Sequence, residues 1–232
     1  QISSTATAEI SNINDDPIGS LVIDGTIEEG QTLTISDNVS DADGIPSEGN
    51  GSKSYQWYRD GSVIEGETSA SLVLTQSDVD TKIMVSVSYV DEYGESEIVY
   101  SAETDLIRNL DTAPTGSLIL SSANVLEGAV ITADPSQIAD EDGINSSTIS
   151  YKWYRDGVEI SGETSSSYTT VQADVDATIT ASFEFTDNYR KENSVSSSAD
   201  SDIGPIVNVN DQPQGEVTID GTLTQNEELT AN

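Results

Sequence analysis

An all-β chain built of small sandwiches in tandem is the fold class this sequence predicts, and three observations predict it. A seven-residue stretch, Tyr55-Gln56-Trp57-Tyr58-Arg59-Asp60-Gly61, recurs as Tyr151-Lys152-Trp153-Tyr154-Arg155-Asp156-Gly157 and contains both tryptophans of the chain. Proline-marked linkers recur at Pro17, Pro114 and Pro213, at intervals of 97 and 99 residues. Between them, short runs alternate apolar and polar side chains with turn residues in between, and no segment sustains a helical period.

The elements follow in order. After each proline comes an alternating strand: Gly19 to Gly25, Gly116 to Leu120, and Gly215 to Gly221. A second strand is expected around Leu33 and Ile35, matched by Ile131 and Ala133, and by Leu229 near the end. Next is a loop containing Asp41-Ala42-Asp43-Gly44 or Asp140-Glu141-Asp142-Gly143, which then runs on for three more residues in the first copy than in the second. In the tryptophan strand, Tyr55 and Trp57 share one face and Gln56 and Tyr58 the other, while Asp60-Gly61 turns the chain. Gly66-Glu67-Thr68 and Gly162-Glu163-Thr164 read as turns before a strand at Leu72 and Leu74, or Tyr168 and Thr170. Asp78-Val79-Asp80 and Asp174-Val175-Asp176 turn the corner into the clearest strand, where Ile83, Val85, Val87 and Tyr89 (Ile179, Ala181, Phe183 and Phe185) alternate with other residues. A hairpin at Asp91 to Gly94, or Asp187 to Arg190, precedes the last strand, expected over Ser101 to Arg108, over Ser201 to Val207, and in the preceding copy over Gln1 to Ile10.

Seven or so short strands in a repeat of about a hundred residues is the size of an immunoglobulin-like β-sandwich. The expected organisation is therefore tandem immunoglobulin-like domains in a linear array: the end of one repeat over 1–16, full repeats over 17–113 and 114–212, and the first strands of another over 213–232. Gln1 in place of an initiator methionine, with a strand already under way, predicts an excerpt of a longer polypeptide.

Forty-two acidic residues against eight basic ones give a net charge of −34. That excludes nucleic acid and anionic membrane as partners, since both are bound by clustered Lys and Arg, and it favours cations. Cysteine and histidine are absent, which removes disulfides, thiol chemistry, Cys- or His-bound metals and imidazole-dependent triads. No apolar run is long enough to span a membrane, so direct insertion is not expected, and no signal peptide is visible. Much of the acidity does no more than keep the chain soluble; positioned clusters ask for more.

Sandwich topology supplies the positions. It brings the chain's point of arrival, the Asp-x-Asp-Gly loop and the late hairpin to one pole, and the Asp-Val-Asp corner to the other. Three candidate metal clusters follow at domain junctions. The first gathers Asn12, Asn14, Asp15, Asp41, Asp43 and Asp91; the second Asp78, Asp80, Asn109, Asp111, Asp140, Asp142 and Asp187; the third Asp174, Asp176, Asn208, Asn210 and Asp211. Like charges this close cost on the order of a kcal/mol per neighbour even at high effective dielectric, and a hard cation relieves the repulsion. Calcium takes six to eight oxygens from carboxylates, amides and carbonyls, and Asp-x-Asp-Gly points alternate side chains inward. The middle linker departs from the pattern, with Asp111-Thr112 where the others have Asn14-Asp15 and Asn210-Asp211.

The Tyr-x-Trp-Tyr-Arg-Asp-Gly strand, the Gly-Glu-Thr turn, the Asp-Val-Asp corner and the Asn-x-Asn-Asp-x-Pro linker together resemble the immunoglobulin-like or cadherin-like tandem repeats of very large bacterial surface proteins, including the extender regions of RTX-type adhesins. The resemblance implies a secreted, cell-attached, non-catalytic rod in cell adhesion and biofilm formation, with calcium stiffening its junctions. Its partners would be calcium and neighbouring repeats of the same chain, with glycans or other surface proteins met by other modules. Alternatives of a different class are a carbohydrate- or protein-binding module using Tyr58, Tyr93, Tyr154 or Tyr189, and a self-assembling surface filament or S-layer-like repeat joined through strand edges. Paired acids such as Asp140 and Asp142 suit glycoside hydrolysis in principle, but their repetition in each copy fits modular architecture better than a single active site.

Overall fold

A computed structural model describes residues 8–231 of the 232-residue chain, which divides into two compact units between Thr112 and Ala113. Each unit is an antiparallel β-sandwich of two facing sheets. Of the strand expected over Gln1 to Ile10, residues 1–7 lie outside the described residues, and residues 8–10 carry no regular structure.

In the first unit, β1 (Leu21–Asp24), β2 (Thr32–Asp37) and β5 (Ser71–Val73) form a sheet in the order β1-β2-β5. β3 (Ser54–Arg59), β4 (Ser62–Val63), β6 (Ile83–Val90) and β7 (Ser96–Tyr100) form the other, in the order β4-β3-β6-β7. The second unit repeats this with β8 (Ile119–Ser122), β9 (Val130–Asp134) and β12 (Ser167–Thr169) against β10 (Ser150–Arg155), β11 (Val158–Glu159), β13 (Ile179–Thr186) and β14 (Glu192–Ser196). Two sheets with early and late strands interleaved make the immunoglobulin-like sandwich. A short hairpin, β15 (Ile219–Asp220) with β16 (Thr230–Ala231), follows in the second unit's terminal segment.

Inward positions of both sheets meet in one apolar cluster per unit: Leu21, Leu33, Trp57, Leu72, Ile83, Val85 and Val87 in the first, and Leu118, Ile131, Trp153, Tyr168, Ile179 and Phe183 among others in the second. Both tryptophans are fully buried, and each indole Nε1 donates to a backbone carbonyl, Trp57 to Ser69 at 2.9 Å and Trp153 to Ser165 at 2.8 Å. The polar edge of each ring is thus satisfied while its faces pack. The β3–β4 turn has positive φ at both central residues, 44° at Asp60 and 75° at Gly61, the geometry a two-residue hairpin requires; Asp156 and Gly157 repeat it.

The last segment departs from expectation. The regular final strand ends at Tyr100, ahead of the stretch predicted for it, because Ser101 to Arg108 changes partner every few residues. The Thr104 amide donates to the Ile83 carbonyl, Ile107 to Thr81 and Arg108 to Ile27. In the second unit the corresponding segment runs parallel to the unit's beginning, with Leu118 paired to Ser197 and Leu126 to Val207.

Candidate metal centre

Each unit collects carboxylates at the pole where its chain enters. In the first unit the β2–β3 loop folds on itself as an Asx turn, the Asp43 amide donating to Asp41 Oδ1 at 2.9 Å. The Tyr89 hydroxyl, from the inner face of β6, donates to Asp41 Oδ2 at 2.7 Å. The β6–β7 hairpin turns on Asp91, whose Oδ1 accepts the amides of Tyr93 and Glu95, both at 2.9 Å. Gly44, at φ +88°, lets the two loops touch: a Cβ there would stand 2.8 Å from the Glu92 carboxyl carbon.

Asp43 and Asp91 are both buried, and Asp91 is only 4 % exposed. Its Oδ1 is committed to the hairpin, but its Oδ2 is buried with no hydrogen-bond partner. A buried acceptor without a donor costs about 1–3 kcal/mol, and more when ionised, so it calls for an occupant. The linker closes the same pole. The Asp15 amide donates to Asp43 Oδ2 at 2.6 Å, and the Asn14 side chain donates to Glu97 Oε1 at 2.9 Å.

The second unit repeats the arrangement. The Asp142 amide donates to Asp140 Oδ1 at 2.9 Å, and Asp187 Oδ1 accepts the amides of Tyr189 at 2.8 Å and Lys191 at 2.9 Å. Asp187, 1 % exposed, again has a buried Oδ2 without a partner. Carboxylate oxygens of Asp142 and Asp187, both buried, lie within 4.8 Å of each other. The same oxygen is therefore orphaned twice, in two copies that differ in sequence around it.

Burial above all raises the Tyr89 phenol, followed by its hydrogen bond to Asp41 and by the charges of Asp41, Glu97 and Asp91. That places Glu97 within the electrostatic reach of the cluster, a residue the linear motifs did not single out. It sits directly across β6–β7 from Tyr89, as Asn193 sits across from Phe185, where Asn193 Nδ2 donates to Asp140 Oδ2 at 3.4 Å. The cross-strand register is the signal that finds it.

The opposite pole is built differently. Asp78 and Asp174, expected as ligands, have both oxygens engaged by their own units. Asp78 Oδ1 accepts Arg59 Nε at 2.8 Å and Nη2 at 2.6 Å, while its Oδ2 accepts the Thr75 amide at 2.8 Å and hydroxyl at 2.9 Å. Asp174 Oδ1 accepts Arg155 Nε at 2.6 Å, and its Oδ2 accepts the Val171 amide and the Tyr168 hydroxyl, both at 2.7 Å. Burial and that hydrogen bond push the Tyr168 phenol up to about 12. These aspartates neutralise an arginine at the edge of each core and cap a 3₁₀ turn, Gln76–Asp78 or Gln172–Asp174. Asp80 and Asp176 are exposed at left-handed φ, 60° and 65°, where they serve the turn.

The remaining candidates lie on connecting segments. Asn12, Asp111, Asn208, Asn210 and Asp211 are exposed and Asn109 is half-buried; Asn208 Oδ1 accepts Gln172 Nε2 at 3.0 Å, and Asn210 Nδ2 donates to the Asp211 carbonyl at 3.3 Å. Within single units, then, the structure brings together Asp15, Asp41, Asp43 and Asp91 with Asn14 alongside, and Asp140, Asp142 and Asp187. All donors in these clusters are oxygens. Carboxylates and carbonyls without nitrogen or sulfur suit a hard cation of calcium's kind rather than zinc or copper.

No family model matches the chain, and no curated protein matches it. Among solved structures it is similar to a 1.5-MDa bacterial ice-binding adhesin studied for its retention at the host cell surface, at 11% identity and a TM-score of 0.32, over 87% of this chain and 69% of that one. It is similar also to three N-terminal domains of the bacteriophage RB49 Highly Immunogenic Outer Capsid protein, at 17% identity and a TM-score of 0.27, over 77% and 57%. A third is the fibronectin(III)-like modules of Clostridium thermocellum CbhA, at 16% identity and a TM-score of 0.25, over 84% and 100%. At scores of this size the architecture rests on the strand order and the two cores.

Proposed function

We propose that these two sandwiches are non-catalytic spacer repeats of a secreted bacterial surface protein, an adhesin extender of the RTX type, and that each takes up calcium at its leading pole. The observation that carries the reading is the buried, unpartnered carboxylate oxygen, Asp91 Oδ2 in one unit and Asp187 Oδ2 in the other. A cation satisfies that oxygen and relieves the mutual repulsion of the surrounding aspartates at once, which no internal donor does. Support for a stiffening role comes from the linker. Asn14 and Asp15, which precede the first strand, are bonded to Glu97 and Asp43 of that same pole, so an ion held by Asp43 and Asp91 also fixes the segment leading into the domain.

Calorimetric titration with calcium, run beside small-angle scattering in calcium and in EDTA, tests both halves. Heat of binding that vanishes in the Asp91→Asn, Asp187→Asn double variant, with a longer maximum dimension in calcium than in EDTA, is the expected result. Binding without any change in dimension removes the spacer mechanism and leaves the ion site; no binding at millimolar calcium removes both.

A further inference from the structure

We propose that the outer face of the β4-β3-β6-β7 sheet in the first unit is a self-association surface that takes a second copy of this chain face to face. In a chain with 42 acidic residues, the outward positions of these four strands carry no charged side chain. They carry instead an apolar stripe: Val63 and Ile98, each 48 % exposed, Tyr100 at 50 %, and the half-buried Tyr58 and Met84. The rings of Tyr58 and Tyr100 lie 5.9 Å apart, which ties the stripe together across the sheet. The second unit has the same backbone and keeps only Tyr154 of this stripe: its matching outward positions otherwise hold Lys152, Glu159, Thr180, Glu184 and Glu192, with Ser194 and Ser196 where the first has Ile98 and Tyr100.

The chemistry of the face selects its occupant. Several polar groups on it are already engaged: Gln56 Nε2 donates to the carbonyls of Trp57 and Ile64 at 2.9 Å, the Ser54 and Ser88 hydroxyls pair at 2.9 Å, and Tyr58 pairs with Ser86 at 3.3 Å. A carbohydrate finds few free donors or acceptors there, and a basic partner finds no carboxylate. Another copy of the chain, at −34, is repelled everywhere that carboxylates face each other, and meets no such cost where this face meets itself. A two-fold axis through the sheet makes the contact self-complementary and desolvates no charge.

Sedimentation velocity and light scattering of the whole chain across a concentration series, in EDTA and in calcium, at low and high sodium chloride, test it. The expected result is a reversible dimer that tightens with salt, because screening removes the residual repulsion and leaves the apolar contact. Replacing Ile98 and Tyr100 by the serines of the second unit weakens the dissociation constant by about tenfold or more, with the near-ultraviolet dichroism of Trp57 confirming the fold. Val63→Glu, on the exposed two-residue strand, weakens it independently. A chain that stays monomeric at millimolar concentration in high salt overturns the proposal, and so does a dimer that both variants leave unchanged, which places association at strand edges instead.

Discussion

The two units share a backbone plan but not a surface, and where they agree and differ is instructive. The buried tryptophan with its bonded Nε1, the arginine–aspartate pair beneath the core, the left-handed Asp-Gly turn and the orphaned carboxylate oxygen all recur at matching positions. What changes is side-chain chemistry one layer out. At the leading pole Tyr89 and Glu97 of the first unit become Phe185 and Asn193 in the second, which trades a phenol and a carboxylate for a ring and an amide. Groups that the backbone positions directly are held fixed, and groups that only surround them are free to differ.

The strongest way to break the comparison is at the cores. Trp57→Ala and Trp153→Ala should each cost about 3–5 kcal/mol in urea unfolding, since both rings are fully buried, and unequal costs would show that the two sandwiches pack differently. Asp78→Asn and Asp174→Asn should each cost about 2–3 kcal/mol, below the value for a fully buried pair because the Arg59 and Arg155 side chains are 32% and 31% exposed. Thermal melts in EDTA then separate these latches from the proposed ion sites. Asp91→Asn and Asp187→Asn should leave EDTA melting unchanged or raised, yet forfeit the calcium-linked gain, about 2.7 kcal/mol at a hundredfold excess over the dissociation constant.

Tyr89→Phe gives the first unit the ring that the second already has. The expected loss is about 1 kcal/mol in EDTA, the worth of the hydroxyl bond to Asp41. The variant also sharpens the pH dependence. Because the folded state holds the Tyr89 phenol above its ordinary value, its contribution is fully present below about pH 10, where the unfolded chain keeps its tyrosines protonated, and drains away as pH climbs from there toward the raised value. Tyr89→Phe should flatten that alkaline slope without abolishing it, since Tyr55 and Tyr168 are both pushed up to about 12.

Much of this was legible in the sequence, for reasons that particular residues make plain. Strand alternation put Trp57 inside and Asp60-Gly61 in the turn, and loop topology brought Asp41, Asp43 and Asp91 to one pole. The bonds of Asp78 and Asp174 to their own unit were not read, because an Asp-Val-Asp corner has the composition of a ligand loop. The signal for them was present: Tyr55, Trp57 and Arg59 share one face of β3, so an arginine points toward the core and needs a buried acid, which Asp78 supplies. Glu97 and the apolar stripe were hidden for a different cause. Both depend on which residue of β7 stands opposite which residue of β6, and register is a long-range property that local pattern does not encode.

The parallel pairing of Leu118 with Ser197 and of Leu126 with Val207 has a mechanical meaning. Traction on the two ends of the second unit pulls these segments lengthwise past one another, so their rungs bear tension side by side and must rupture nearly together, whereas a hairpin peeled from its tip gives way one rung at a time. Resistance to stretching is then a kinetic barrier set by that clamp, independent of how much free energy the sandwich as a whole holds in reserve.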